Sequence, residues 1–298
     1  MRPRSSLPLA ALTAALLVAC QGLFPSQPCD RDLGRQQQVW SGFSADGELL
    51  FTSLPNTVDD GDWDLAIIES RTGRIIYRKR NRDVSPPGSI GGIAWDSGRP
   101  NTIIGYSIVD WDNKHAFEMN GDGTAVRDLG ACTFCITDMS QSGTQAARAL
   151  AQDTLAGGQI IARRADPTSP ITTYPETNGW SWFRLSPDGK LATTSTYSNS
   201  RPISQVVFTF ATGDKRRAGG NTFYGWASND ELYVTDSATG EVFRENVVTR
   251  ARVRVGRIPW TIEDASFYGI LVDPTSRYAF VEVNNHYKLV DWSCIAGK

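Results

Sequence analysis

The apolar positions of this 298-residue chain fall into short runs rich in Val, Ile, Tyr, Phe and Thr, separated by clusters of Gly, Asp, Asn and Pro. Branched and aromatic side chains pack well on a pleated surface, while Gly, Asn and Asp accept the backbone angles of tight turns. Runs of this kind broken by turn formers predict β-strands joined by hairpins. Beyond the first residues no stretch keeps the 3.6-residue period of an amphipathic helix, so the chain is predicted to be all-β.

The spacing of the turns carries the architecture. Six turn segments superimpose: Ser44-Ala45-Asp46-Gly47, Trp95-Asp96-Ser97-Gly98, Ser140-Gln141-Ser142-Gly143, Ser186-Pro187-Asp188-Gly189, Ala227-Ser228-Asn229-Asp230 and Asp273-Pro274-Thr275-Ser276. Their last residues lie 41 to 51 positions apart. A second strand-turn-strand segment follows in five of the units, at 65–78, 115–129, 159–174, 205–219 and 241–255. Two hairpins in each repeat make one four-stranded antiparallel blade, and six repeats predict a six-bladed β-propeller.

These units resemble the WD40-like repeats of TolB-type propellers, most closely at Leu185-Ser186-Pro187-Asp188-Gly189-Lys190-Leu191 and Met119-Asn120-Gly121-Asp122-Gly123-Thr124. The resemblance runs from about residue 36 to residue 298 and implies a fold; function lives in sites grafted onto folds, and no role in the Tol system is carried across. The sixth unit offers only three strands, around Tyr268, 278–283 and 287–292. An open ring would expose two blade edges to pairing with other chains. The fourth strand is therefore expected from the segment Cys29–Val39, which closes the ring.

The start of the chain reads differently. Arg2 and Arg4 precede an uncharged run from Leu7 to Ala19, which is too short for the ~20 residues of a spanning helix. A basic start, a short apolar run and small residues before a cut are the parts of an export signal. Leu17-Val18-Ala19-Cys20 resembles the bacterial lipobox, which implies cleavage before Cys20 and a diacylglyceryl group on its sulfur. The expected organisation is a signal peptide at 1–19, a lipidated tether and closing segment at 20–35, and the propeller at 36–298. Gln21 after the cysteine directs such a lipoprotein to the periplasmic side of the outer membrane in a double-membraned host.

Removing the leader takes Arg2 and Arg4 with it and moves the formal net charge from -2 to -4. Acidic and basic residues are interspersed, which argues against a nucleic-acid surface. With Cys20 lipidated, Cys29, Cys132, Cys135 and Cys294 remain, an even set in an oxidising compartment with three possible pairings. The preferred pairing is Cys29–Cys294, joining the two ends of the fold, with Cys132–Cys135. A thioredoxin-like role for the latter fits poorly, since that motif opens a helix.

The densest acidic cluster runs from Asp59 to Asp64, and Asp60, Asp62 and Asp64 are candidate calcium ligands. Leu65 and Arg71 stand where an EF-hand loop places its glycine and its glutamate, so the cluster is no EF-hand. No other cofactor is expected. Trp40, Trp95, Trp182 and Trp226 adjoin the first turns and are expected to wedge blade against blade, while Trp63, Trp111 and Trp180 are candidate carbohydrate platforms in loops. A Ser-His-Asp triad would need His115 or His286, and no Gly-x-Ser-x-Gly elbow occurs.

The expected function is thus a non-enzymatic binding or scaffold lipoprotein of the cell envelope, membrane-bound through Cys20 and holding a protein or polysaccharide partner on a propeller face. The alternative is a propeller enzyme, a glycan or ester hydrolase using channel carboxylates or calcium. Three or more Asp, Glu or His side chains converging in the central channel would favour the enzyme.

Overall fold

A computed structural model describes residues 29–35, 41–56, 62–84, 88–110, 113–150, 158–164, 166, 168–180, 183–198, 201–219, 225–236, 238–260, 269–284 and 286–297. The leader, Cys20, Trp40, Asp60, Trp111 and Trp182 lie outside them.

Strand β1 (Asp30–Arg35) comes first in sequence but belongs to the last blade. Blade one contains β2 (Ser41–Phe43), β3 (Leu49–Pro55), β4 (Trp63–Glu69) and β5 (Ile75–Arg80), and a short helix α1 (Asn81–Val84) leads out of it. Blade two contains β6 (Ser89–Trp95), β7 (Thr102–Ile108), β8 (Lys114–Asn120) and β9 (Arg127–Ala131). Blade three contains β10 (Ile136–Met139), β11 (Gln145–Leu150), β12 (Gly158–Arg163) and β13 (Thr172–Tyr174). Blade four contains β14 (Arg184–Leu185), β15 (Leu191–Ser198), β16 (Arg201–Thr209) and β17 (Lys215–Ala218).

Blade five shows β18 (Glu231–Thr235), β19 (Glu241–Asn246) and β20 (Arg252–Arg257), with the isolated bridge Trp226–Leu232 at its innermost position. Blade six contains β21 (Gly269–Val272), β22 (Tyr278–Val283) and β23 (His286–Asp291), followed by helix α2 (Trp292–Ala296). Its fourth strand is β1, antiparallel to β23 with Asp30 opposite Val290 and Arg35 opposite His286. The expected six-bladed ring closed by the first strand is the observed fold.

The recurring turn is a hydrogen-bonding device. In blade one the Ser44 hydroxyl donates to Asp46 Oδ1 at 2.6 Å and accepts the Leu49 N–H at 3.0 Å, while Asp46 also accepts the Glu48 N–H. In blade four Ser186, Asp188, Leu191 and Lys190 repeat the same set at 2.8, 3.0 and 3.1 Å. Gly47 and Gly189 supply φ of 71° and 68°, the left-handed region that a side chain disfavours. Burial alone would raise the Asp46 and Asp188 carboxyls, but these donors outweigh it and hold both below the ordinary value. Blade two departs from the spacing: Asp96, not Trp95, bonds across its turn, to the Thr102 carbonyl.

The apolar core lies between blades. Phe51, Leu65 and Ile67 of blade one pack on Ile93, Ile103 and Phe117 of blade two. On the other side of blade one, Leu50 and Ile68 meet Phe280, Tyr287 and Leu289 of blade six. Further clusters join blades three and four, four and five, and five and six. At the perimeter most outermost strands are charged, as in Lys215-Arg216-Arg217 of β17, which discourages pairing with a foreign strand; β13, Thr172–Tyr174, is the uncharged one among the described strands.

Cys29 is bonded to Cys294 with their Cα atoms 6.0 Å apart, and Cys132 to Cys135 at 5.4 Å. The first bridges the strand that closes the ring to helix α2. The second spans the link between β9 and β10, where Arg163 lies 4.4 Å over the ring of the intervening Phe134.

Candidate functional site

The inner strands of all six blades converge on a funnel of about 480 Å³ that opens on the side of the first turns. Two positions before the residue that opens each turn stand Gly42, Ala94, Asp138, Arg184, Gly225 and Leu271. Four of these are apolar or lack a side chain, so the charge at the axis is concentrated on Asp138 and Arg184, in adjacent blades.

Asp138 is buried, and its Oδ2 accepts the Leu185 N–H at 2.7 Å while Oδ1 lies 3.6 Å from Arg184 Nη1. Burial pushes the Asp138 carboxyl above its ordinary value, against the opposing pull of Arg184. Arg184 reaches further: its Nη2 donates to the Ser41 carbonyl. In a ring of six, blades four and one face each other, so this side chain crosses the axis.

The next position of each inner strand builds the wall, with Phe43, Trp95, Met139, Leu185, Trp226 and Val272. The two tryptophans serve as staples. Trp95 Nε1 donates to the Gly42 carbonyl at 2.7 Å, and Trp226 Nε1 donates to the Arg184 carbonyl at 3.2 Å, each into the preceding blade at an equivalent place. This is the wedging role expected of them. Among the described lining residues the only other carboxylate is Asp96, which accepts the Gly98 N–H and the Arg99 Nε–H at the mouth.

The candidate calcium ligands are placed otherwise. Asp62 Oδ1 accepts the Asn81 side-chain amide at 2.5 Å and Oδ2 lies 2.7 Å from Arg82 Nη2. Asp64 accepts from Asn56 at 2.6 Å and from Arg78 Nε at 2.7 Å. Arginines thus occupy the carboxylates that a cation would need, and no group of three metal-ligating side chains occurs among the described residues. The signal in the sequence was the run Arg78-Lys79-Arg80-Asn81-Arg82, which ends the strand paired with β4 and begins helix α1.

Trp63 and Trp180, expected in loops as candidate carbohydrate platforms, are core residues instead. Trp63 opens β4 and packs between blades one and two, and Trp180 is bridged to Gly158 and packs on Phe208; both are buried. Each histidine faces an aspartate on an outer strand, His115 with Asp128 and His286 with Asp32, at 3.1 Å and away from the funnel.

Asp138 and Arg184 were not singled out by sequence, because position along a strand does not reveal which residues face the axis. Their opposite charges at equivalent positions of adjacent blades were the available signal.

No protein-family profile matches the chain, and no curated protein matches it. Solved structures do. The WD40 domain of Neurospora crassa Pan2 superposes with a TM-score of 0.51 at 10% identity, over 87% of this chain and 88% of that one. The propeller domain of Myceliophteria thermophila Cps50 (Swd1) gives 0.50 at 9% identity, over 88% and 99%. TolB from Acinetobacter baumannii gives 0.48 at 13% identity over 83% of this chain, which spans 64% of that one. Likeness at these identities is likeness of fold, and the Pan2 and Cps50 superpositions agree with the observed sheets in a β-propeller, here of six blades.

Proposed function

We propose that the protein is a non-enzymatic binding protein of the bacterial cell envelope, anchored by lipid on Cys20 and gripping a segment of a protein partner in the central funnel. The observation that carries this reading is the funnel itself, open on the turn side, walled by Phe43, Trp95, Met139 and Trp226 and supplied with one charge pair at its floor. Concave, mostly apolar sites with few fixed polar groups suit inserted side chains. The hydrolytic alternative calls for three converging acid or base groups. Among the described residues the funnel has two carboxylates, each already engaged by an arginine.

A photo-crosslinking residue placed at Ser97 or Gln141 on the rim, and at Lys215 on the outer edge as a control, tests the reading in intact cells. Protein adducts of one mass from both rim positions and none from Lys215 support it. Absence of rim adducts overturns it, and adducts removed by glycan-digesting enzymes assign the funnel to an envelope polysaccharide. Anchoring has its own measurement: palmitate labelling is expected in the native chain and absent in Cys20→Ala.

A further inference from the structure

Where blade six meets blade one, an open cleft of about 440 Å³ is lined by three arginines, Arg31, Arg71 and Arg277, together with Ser276, Ser293 and Asp291. Two of the arginines are matched within the protein. Arg31 donates to Asp291 Oδ1 at 3.2 Å and to the Arg71 carbonyl at 2.5 Å. Arg277 donates to Glu48 Oε1 at 2.8 Å and to the Asp46 carbonyl at 2.5 Å. Arg71 is exposed and its side chain makes no ion pair among the described residues, so three arginines and one aspartate line the cleft, with the Arg71 guanidinium open to a ligand. We infer that this cleft is a binding site for a phosphate group, presented by the headgroup of an anionic membrane phospholipid.

The phosphate follows from chemistry. A guanidinium offers its N–H groups in a planar fork that matches phosphate oxygens, and the Arg71 fork is the one left open, since Arg277 already donates from Nε to Thr275 and from Nη1 and Nη2 to Glu48 and Asp46. The lipid follows from place. Arg31 is two residues from Cys29 and Ser293 is next to Cys294, so the cleft adjoins the bridge at which the chain enters the fold. Only residues 21–28 separate that bridge from Cys20, which limits the distance to a lipid on Cys20 to roughly 30 Å at ~3.3–3.6 Å per residue. This placement rests on the anchoring reading above, whereas binding of phosphate by the cleft does not.

The test uses the chain produced from Gln21 onward, so that neither an attached lipid nor the apolar leader contributes, and vesicles of phosphatidylcholine alone or in equal parts with phosphatidylglycerol. Sedimentation with the mixed vesicles is expected to exceed that with the neutral ones. Arg71→Ala is expected to lower it about fivefold, the equivalent of the ~1 kcal/mol that one basic side chain contributes near an anionic surface. That substitution spares the fold, since only the backbone carbonyl of Arg71 is used by Arg31. Arg216→Ala on the distant β17 edge is the control and should change nothing.

Equal sedimentation with both vesicles, or equal losses from Arg71→Ala and Arg216→Ala, overturns the inference. Titration with inorganic phosphate separates the sources: saturable binding lost in Arg71→Ala, without preference for the anionic vesicles, overturns the lipid assignment and leaves a site for soluble phosphate. Missing palmitate on native Cys20 would remove the anchoring reading while leaving these measurements untouched.

Discussion

Two joints of the ring are built from opposite materials. Closure where blades six and one meet rests on the Cys29–Cys294 bridge, which ties the closing strand β1 to helix α2 within blade six, and on arginines that reach from blade six to blade one, as Arg31 does to the Arg71 carbonyl and Arg277 to Glu48. Blades three and four also meet through apolar packing, but at the axis they share the buried Asp138 and the mostly buried Arg184. The seam joins the two ends of the described chain and has to resist separation. The axial pair lies where a partner would enter, and its charges cost desolvation energy that an apolar contact would not. Covalent and solvated links serve closure, while the buried pair gives the funnel a polar floor.

The largest effect is expected at the seam. Cys29 and Cys294 are 265 residues apart, and a crosslink over so long a loop removes much entropy from the unfolded chain. The variant Cys29→Ser/Cys294→Ser should lose about 5 kcal/mol in urea titration, and Cys132→Ser/Cys135→Ser about 2 kcal/mol because its loop is short. Equal losses from the two would show that the seam is held by its packing and not by the covalent link.

At the axis, Asp138→Leu should cost about 3 kcal/mol, since the Leu185 N–H and the Arg184 guanidinium both lose their acceptor. Asp138→Leu/Arg184→Met should recover most of that loss, because a buried pair replaced whole by apolar groups is nearly neutral. A double variant as unstable as the single one would mean that the Ser41 contact of Arg184 holds the ring, and the axis would then resemble the seam.

The two regions also respond oppositely to pH. Asp138 is raised above 3.8 by burial, so its native form holds a proton more readily than the unfolded chain does. Its contribution to stability therefore falls as the pH rises from about 3.8 through the raised value. Asp46, beside the seam, is lowered, and its contribution is present above 3.8 and lost as the pH falls through its lowered value. Asp138→Asn keeps an acceptor for Leu185 and cannot ionise. Its deficit relative to the native chain should narrow as the pH rises, measured by urea titration at successive pH values. A widening deficit would mean that Arg184 outweighs burial.

The seam was far more legible in the sequence than the axis. The closing strand was readable because the sixth unit lacked a strand and Cys29 lay opposite Cys294 in the order of the chain; β1 pairs with β23 as that implied. Ser186-Pro187-Asp188-Gly189 announced its turn because each of its residues makes a local hydrogen bond or a local backbone bend. The funnel depends on contacts between blades, which leave no local pattern. In the degenerate third unit Asp138 looked like any polar residue before a turn, and nothing near Arg184 in sequence told of Ser41, 143 residues away. The partners of Asp62 and Asp64 were hidden for the same reason, since the arginines that bond them lie on the next strand and the helix after it.

The smallest expected effects lie within the seam and separate its buried part from its exposed part. Arg31 has only 14% of its side chain exposed and donates to both Asp291 and the Arg71 carbonyl. Arg31→Met, which keeps an apolar stem over Gly73, should therefore cost about 1–2 kcal/mol, the worth of a charge-assisted hydrogen bond lost from a half-buried site. Arg277 bonds Glu48 more closely, at 2.8 Å against 3.2 Å for Arg31 and Asp291, but the two side chains are 44% and 50% exposed. Water and salt screen such a pair, so Arg277→Met should leave the urea midpoint unchanged at physiological ionic strength. If both variants lower the midpoint alike, the arginines act as one network across the seam, and its stability would then fall steeply with added salt.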